Sequence, residues 1–236
     1  GGAGMAQALG AKLTDKNKKS IDLGGLALNE ITKIDISGID PRIHESEILV
    51  ACDVNNPLCG PNGASFVYGP QKGASPEMVK TLDDALYHFG SQLISDTGIN
   101  IMEIAGSGAA GGIGGGMLGF LNAKLKPGVE IVLDTLDFDK SLKNVDLVIT
   151  GEGQIDFQTV FSKAPIGVAK HAKKYNIPVI AICGSLGKNY QDVHSHGIDA
   201  VIPITPKPMD LKEASDNAYE LIKNTSEQIF RILKIR

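Results

Sequence analysis

The chain has 236 residues, a length sufficient for one large or two small globular domains. Of these residues 42% are hydrophobic and 21% are charged, a composition that excludes an intrinsically disordered protein. Its formal net charge of -4 comes without any long run of lysine or arginine, which argues against nucleic acid or an anionic membrane as a partner. The three cysteines have no C-x-x-C spacing, and no apolar run approaches the roughly 18 residues of a membrane helix, so we expect a cytoplasmic protein without a disulfide framework.

The N-terminal part of the chain shows few regular patterns. It opens with GGAGMAQALGAKL, which lacks an initiator methionine and passes from a glycine pair into an apolar-periodic segment, so we expect an artificial start within a loop. The stretch SEILVACDVNNP predicts a strand over residues 48–54, followed by a long turn-rich loop. Ser75 and Pro76 suit the cap and first turn of a helix that we expect to continue to about residue 95.

A glycine-rich stretch, GSGAAGGIGGGMLGF, follows at residues 106–120. It matches G-x-G-x-x-G, and such a loop at a helix start can hold phosphates with its backbone N–H groups. The alternative is a glycine-rich helix that packs closely against a neighbour. The preceding INIMEIA is a poor strand, which disfavours a dinucleotide fingerprint, and no G-x-x-x-x-G-K-[ST] sequence occurs, which excludes a P-loop.

The C-terminal part alternates between strand and helix patterns. We expect strands at 130–139, 145–151, 177–185 and 197–205, with helices at 164–176 and 211–235. Strands that are apolar throughout indicate a parallel sheet covered on both faces. The sequence therefore predicts an α/β fold with two α/β domains, residues 1–138 and 139–236, the second a Rossmann-like parallel sheet with helices on both faces.

In such sheets ligands bind beyond the carboxyl ends of the strands, and GEGQIDFQT follows the strand at 145–151. Glu152 and Asp156 in this stretch suit Mg²⁺, which prefers oxygen ligands. An equally good interpretation makes Asp156 a helix N-cap. Lys163, one short loop later, suits a phosphate as a point charge.

Two residues of the N-terminal part are further candidates. Asp53 ends the predicted strand and suits a general base or metal ligand, or else a turn residue. Lys72 in GPQKGAS suits a charged substrate, or else is a solvated loop lysine. His194 and His196 lack the spacing of a zinc site and indicate a surface turn.

Four stretches, in this order and spacing, resemble the bacterial glycerate kinases of the class I type: ACDVNNPLCGPNGASFVYGPQKGA, GSGAAGGIGGGMLGF, DLVITGEGQIDFQT and KAPIGVAKHAKKY. The resemblance covers essentially the entire chain, including the ending HGIDAVIPIT. It implies two α/β domains around a cleft, Mg²⁺ and ATP as cofactors, D-glycerate as the small-molecule substrate and 2-phosphoglycerate as the product.

Phosphoryl transfer requires mostly positioning and charge neutralisation from the protein, which suits these residue types. On this resemblance, the residues expected to contact phosphates are Gly106, Ser107, Gly108, Gly111, Gly112 and Lys163. Three residues are expected to be catalytic: Asp53, Lys72 and Asp156. Asp53 would orient or deprotonate the glycerate hydroxyl, and Lys72 would clamp a carboxylate or phosphate. Asp156 is also expected to hold Mg²⁺ together with Glu152.

The sequence departs from the family pattern at two places. The family has an upstream segment with a Gly-Gly-Ser-Ala-Thr-Asn-Asp loop that would run into Gly1, and Ser162 stands where members usually have glycine before Lys163. The alternatives are therefore an inactive truncated fragment or ligand-binding remnant, a kinase for a related hydroxy acid, and a dinucleotide-binding enzyme of the same architecture. Monomer and homo-oligomer both stay open.

Overall fold

A computed structural model describes residues 1–161 and 163–235 and divides the chain into two compact units, Gly1–Gly128 and Val129–Arg236. Below they are unit 1 and unit 2. This division falls earlier than the boundary at residue 138 that the sequence suggested. The reason is that residues after Gly128 pack within unit 2, where the side chain of Val129 fills the space beside Gly167.

Unit 1 combines two small sheets with four helices in its described residues. In chain order these elements are α1 (Ala3–Ala8), β1 (Lys12–Thr14), β2 (Lys33–Asp35), β3 (Leu49–Ala51), α2 (Ala64–Tyr68), α3 (Pro76–Thr97), α4 (Ala109–Leu121) and β4 (Lys124–Lys126), with 3-10 helices at Gly25–Glu30, Pro41–Ile43 and Pro70–Lys72. Strands β1 and β2 pair antiparallel, and β3 and β4 pair parallel. Their apolar faces and one side of α3 enclose a common hydrophobic core.

Helix α3 is the longest element of unit 1, and the sequence predicted it closely. The hydroxyl of Ser75 accepts a hydrogen bond from the N–H of Met78 at 3.3 Å, and Pro76 occupies the first turn. Gly98 ends the helix in the left-handed conformation, with φ of 76°. The predicted cap and helix are confirmed.

Unit 2 contains a parallel sheet of three strands in the order β5-β6-β7. Helix α5 (Gly128–Thr135) leads into the unit, and the remaining elements are α6 (Phe138–Ser141), β5 (Val148–Ile155), α7 (Ala164–Lys174), β6 (Val179–Leu186), β7 (Ala200–Pro203), α8 (Leu211–Asp216) and α9 (Ala218–Leu233), with a 3-10 helix at Tyr190–His196. Helix α7 packs on β5 and β6 and buries Ile166, Ala169 and Ala172. The predicted mixed α/β fold with parallel strands and flanking helices is confirmed.

Three sequence predictions for unit 2 need correction. Residues 130–139 were expected to form a strand, but residues 130–135 lie in α5, and residues 138 and 139 begin α6 after a short turn. The helix expected at 211–235 is two helices, because Asn217 leaves the helical conformation between α8 and α9. Strand β5 continues beyond residue 151, because it stays in register with β6 as far as the pair Ile155 and Leu186.

Among the helices of the described residues, none combines the length and apolar character that crossing a membrane requires.

Candidate active site

A cluster of polar side chains surrounds the carboxyl end of β5. Glu152 lies within the strand, and Asp156 follows its last residue directly. The sequence placed both residues beyond the strand, so this part of the prediction was wrong for Glu152. Ladder pairing with β6 extends through Glu152, and the edge where ligands are expected therefore begins at Asp156.

Asp156 shapes the turn that follows β5. Its Oδ1 atom accepts the N–H of Gln158 at 2.9 Å, and its Oδ2 atom accepts the side-chain amide of Gln154 at 2.9 Å. The Gln154 hydrogen bond, supported by that of Gln158 and by the positive charge of Lys163, lowers the pKa of Asp156 below its ordinary value of 3.8. Asp156 is therefore ionised at neutral pH and organises a turn. It does not cap a helix, since α7 begins only at Ala164.

Glu152 and Lys163 form an ion pair in this cluster, with 3.1 Å between Oε1 and Nζ. Thr159 lies beneath them, fully buried, and its hydroxyl accepts the N–H of Asp156 at 3.1 Å and lies 3.5 Å from Oε2 of Glu152. The sequence analysis assigned no role to Thr159, a polar residue of the same stretch, although its place three residues after Asp156 is a typical turn spacing. Ser162, the departure noted above, lies outside the described residues.

Unit 1 contains a pocket of about 850 Å³. Lys72 contributes to its wall from the end of the 3-10 helix Pro70–Lys72, beside Gln71 and Gly73. Ala110 and Gly111 of the glycine-rich stretch line the same pocket. The structure thus brings two of the predicted features of unit 1, the lysine and the glycine-rich turn, to one cavity.

The glycine-rich stretch makes a left-handed turn inside α4. Ala110, Gly111 and Gly112 have φ of 51°, 71° and 88°, a conformation that favours glycine and strains alanine. A side chain at Gly112 would also lie 2.9 Å from Leu58. The stretch therefore forms a closely packed helix, as one interpretation of the sequence predicts, and its residues Ala110 and Gly111 line the pocket, while the phosphate contacts of the other interpretation stay a prediction.

Several backbone N–H groups of this stretch already have partners within unit 1. Those of Gly106 and Gly108 donate to the carbonyl oxygen of Asn56 at 3.2 and 2.9 Å, and that of Gly112 donates to Gly108 at 3.2 Å. Ser107 donates its N–H to Ile104 at 3.0 Å. The predicted phosphate contacts of these four residues would require the loop to rearrange, which leaves Ala110 and Gly111 as the segment that lines the pocket.

Ser107 has a second unusual feature. Its side chain is fully buried, and its hydroxyl has no hydrogen-bond partner among the described residues. Leaving a buried hydroxyl unsatisfied typically costs about 1–3 kcal/mol. Ser107 is not among the residues that line the pocket.

Asp53 is exposed and caps the start of α5, where its Oδ1 atom accepts the N–H of Gly128 at 2.9 Å. It is not one of the residues that line the pocket of Lys72. The structure therefore gives Asp53 a fixed orientation but does not bring it into that cavity.

The described residues include one group of three side chains close enough together to hold a metal ion, although both ring nitrogens of its histidine are engaged by carboxylates, and the sequence analysis did not predict the group. Glu130, Asp134 and His171 place potential ligand atoms within 4.8 Å of one another. No motif spacing reveals the group, since Glu130 and His171 are 41 positions apart.

Comparison with known proteins identifies the family. The sequence profile of the Glycerate kinase family matches residues 1–234, and the chain belongs to this family. It is 50% identical to the glycerate kinase of Haemophilus influenzae over 236 residues, which are all of this chain and 62% of that protein. It is 49% identical to the glycerate 2-kinase of Escherichia coli over 235 residues, again the whole chain and 62% of the relative.

A solved structure agrees with this assignment. The structure of a proposed glycerate kinase 2 from Salmonella typhimurium LT2 superimposes with a TM-score of 0.82 at 46% sequence identity, and the match covers 99% of this chain and 61% of that one. The chain thus spans about three fifths of the length of the relatives that it matches.

Proposed function

We propose that the protein containing this chain is a cytoplasmic kinase that transfers the γ-phosphoryl group of ATP to D-glycerate and releases 2-phosphoglycerate. The observation that carries the proposal is the cluster of Glu152, Asp156 and Lys163 at the carboxyl end of β5, in a chain of the glycerate kinase family. Carboxylates and a lysine at a strand end are the groups that phosphoryl transfer uses for positioning and charge neutralisation.

The donor set of this cluster fits Mg²⁺. Glu152 and Asp156 offer hard oxygen ligands, and Mg²⁺ in kinases is commonly held by one or two carboxylates together with substrate phosphates. The low pKa of Asp156 supports this role, because the carboxylate stays ionised without a metal. When bound, the ion would offset the negative charge that develops on the phosphoryl oxygens.

The lysines act on the anionic parts of the substrates. In our proposal Lys163 exchanges its ion pair with Glu152 for a phosphate oxygen when the nucleotide binds. Lys72 neutralises a second anionic group in the pocket of unit 1. The glycine-rich stretch lets the nucleotide approach the backbone closely, since glycine carries no side chain to obstruct it.

Asp53 is our candidate for the group that orients or deprotonates the glycerate hydroxyl. Its hydrogen bond to Gly128 uses one carboxylate oxygen and leaves further acceptor sites on the carboxylate for a substrate hydroxyl. A single well-oriented carboxylate is sufficient, because the hydroxyl must mainly be aligned with the phosphorus atom.

An acceptor screen tests the proposed function. The longest polypeptide that the gene encodes is incubated with ATP and Mg²⁺ and with each of D-glycerate, L-glycerate, lactate and tartrate, and ADP formation is measured. We expect D-glycerate to give the highest kcat/KM. A clear preference for another acid would show that the substrate assignment is wrong.

A further inference from the structure

The side chain of Gln154 links Asp156 to Ser185 on the neighbouring strand β6. We propose that Gln154 and Ser185 are positioning residues, which hold the Asp156 carboxylate in the orientation in which it binds a divalent cation. The proposal rests on the proposed function for the metal role of Asp156, and it adds two residues to the candidate site. Below they are the Gln154–Ser185 pair.

Gln154 holds one oxygen of the carboxylate. Its Nε2 atom donates to Oδ2 of Asp156 at 2.9 Å, while the backbone N–H of Gln158 donates to Oδ1, also at 2.9 Å. One donor on each oxygen restrains rotation of the carboxylate. Each oxygen of an ionised carboxylate has two acceptor sites, so each keeps one for a cation.

Ser185 holds the other end of the Gln154 amide. Its hydroxyl donates to Oε1 of Gln154 at 3.3 Å, and the two residues lie side by side in the parallel register of β5 and β6. An ionised carboxylate accepts hydrogen bonds only, so Asp156 requires the NH₂ end of the amide and turns the carbonyl oxygen towards Ser185. Both contacts of the Gln154–Ser185 pair therefore favour the same orientation of the amide.

Close packing at Gly187 restricts Gln154 and Asp156 further. A Cβ atom at position 187 would lie 2.6 Å from Cβ of Asp156 and 2.8 Å from Nε2 of Gln154. Both distances are shorter than an ordinary van der Waals contact, so a side chain there would displace the amide and the carboxylate. Because position 187 is glycine, the backbone after β6 can pack directly against both side chains.

The backbone on both sides of these contacts is hydrogen-bonded between the two strand ends. The N–H of Gly187 donates to the carbonyl oxygen of Ile155 at 2.8 Å, and the N–H of Phe157 donates to that of Lys188 at 3.0 Å. Side chains that start from fixed backbone keep a precise geometry. The Gln154–Ser185 pair therefore has a fixed backbone on β5 and on β6.

Hydrogen-bonding partners of this kind control how well a carboxylate binds a metal ion. They orient the ligand, and the loss of one typically costs about 10–100-fold in metal affinity or activity. Mg²⁺ is sensitive to the direction of its ligands, because it requires nearly ideal octahedral geometry. A purely structural role of the same contacts would affect the stability of the turn and leave metal affinity unchanged.

Substitution of Gln154 in the longest polypeptide that the gene encodes tests the proposal. Gln154→Met keeps the length of the side chain and removes both hydrogen bonds, and because Gln154 is exposed the variant should fold, as checked by thermal unfolding. The matched control is Gln191→Met, the same exchange at an exposed glutamine of unit 2.

Metal binding is measured directly as well as through activity. Mn²⁺ is titrated into the nucleotide-free protein and followed by electron paramagnetic resonance, and the binding that Asp156→Asn removes defines the site. The Mg²⁺ concentration for half-maximal rate and kcat at saturating Mg²⁺ are measured with ATP and D-glycerate.

We expect Gln154→Met to weaken Mn²⁺ binding at this site by about tenfold and to raise the required Mg²⁺ concentration similarly, while kcat at saturating Mg²⁺ stays within about threefold. Ser185→Ala should weaken Mn²⁺ binding by only about threefold, because its hydrogen bond is longer, and Ser185→Thr should restore binding. The double variant should bind Mn²⁺ no more weakly than Gln154→Met alone, because Ser185 acts through Gln154. Gln191→Met should change nothing.

Unchanged Mn²⁺ binding in folded Gln154→Met would overturn the proposal, as would the absence of any Mn²⁺ binding that depends on Asp156. Losses that add up in the double variant would show that Ser185 does not act through Gln154, which also overturns it. If Gln154→Met does not fold, Ser185→Ala and Ser185→Thr decide the question by the same titration. A protein that binds Mn²⁺ as expected but does not phosphorylate glycerate would instead contradict the proposed function.

Discussion

The Nδ1 atom of His171 lies 2.5 Å from Oδ1 of Asp139, and on the other side of the ring Nε2 lies 3.0 Å from Oε2 of Glu130. A neutral imidazole has one N–H and can donate to only one of these carboxylates, so the geometry indicates an imidazolium. Burial lowers the pKa of His171, but the hydrogen bonds to Glu130 and Asp139 outweigh burial and raise the pKa above its ordinary value of 6.5. The charged ring joins α7 to α5 and α6.

This geometry predicts that unit 2 loses stability as the pH rises above neutral. Because the folded-state pKa of His171 is higher than the unfolded one, its contribution is complete below pH 6.5 and disappears as the pH rises through the raised value. Asp139 remains ionised throughout this range, because the hydrogen bond to His171 lowers the pKa of Asp139 below 3.8. Two further charged groups face the ring, Asp134 of α5 and Lys174 of α7. Thermal unfolding between pH 5.5 and 9 measures the effect.

The control for this prediction separates His171 from the other histidines. His171→Gln should have a lower Tm at pH 6 and a flatter dependence of Tm on pH. His44→Gln, at an exposed histidine of unit 1, should leave the dependence unchanged. Equal pH dependence in the unmodified protein and in His171→Gln would show that the ring is neutral in the folded state.

Asp156→Asn should lower kcat by roughly a hundredfold, because a loss of this size is typical when one group that stabilises charge in the transition state is removed. The variant should also need a higher Mg²⁺ concentration to reach half of its maximal rate. The Tm should change little, because the remaining amide oxygen can still accept the N–H of Gln158. Asp192→Asn, at an exposed aspartate of the same unit, serves as the control. Near-normal kinetics and Mg²⁺ dependence for Asp156→Asn would mean that the carboxylate only shapes its turn.

Lys72→Met should raise, by about tenfold, the KM for the substrate whose anionic group Lys72 neutralises, because that group would lose a charge-assisted hydrogen bond. Lys72→Arg should recover part of the affinity. Lys80→Met removes an exposed lysine from α3 and should have no effect. Steady-state kinetics with ATP and then D-glycerate as the varied substrate measure these changes, and unchanged KM values for both substrates in Lys72→Met would contradict the role of this lysine.

Two glycine substitutions test the strain in the left-handed turn. Gly111 has φ of 71° and open space around its position, so Gly111→Ala should destabilise unit 1 by about 1 kcal/mol through backbone strain alone. Gly4, the second residue of α1, also has open space but no positive φ, and Gly4→Ala should stabilise the protein by roughly 0.4–1 kcal/mol because it restricts the unfolded chain. Urea unfolding compares them, and equal effects would contradict the assigned conformation.

Local signals in the sequence predicted the elements that depend on local chemistry. Ser75 and Pro76 indicated the start of α3, and the apolar runs indicated β5, β6 and β7, with α7 between β5 and β6. The glycine-rich stretch indicated an unusual backbone, and the structure has it at Ala110. In each case the residues that determine the helix, strand or turn lie within it or next to it in the sequence.

The errors concern contacts between distant residues. Helix α5 was predicted as a strand because residues 131–133 are apolar and β-prone, whereas its first N–H is held by Asp53, which is 75 positions away in sequence. The imidazolium of His171 depends on Asp139, which is 32 positions away. The wall of the unit 1 pocket likewise joins Leu28 to α3, and no periodicity in the sequence indicates that pairing.

The most direct test of the account is to follow the reaction of the longest encoded polypeptide with ATP, Mg²⁺ and D-glycerate by ³¹P NMR. The account predicts that the γ-phosphate signal of ATP declines as signals of ADP and 2-phosphoglycerate grow in equal amounts, and that Asp156→Asn slows all three changes together. ATP that persists unchanged with glycerate present, in protein shown to be folded by its cooperative thermal transition, would contradict the proposed activity.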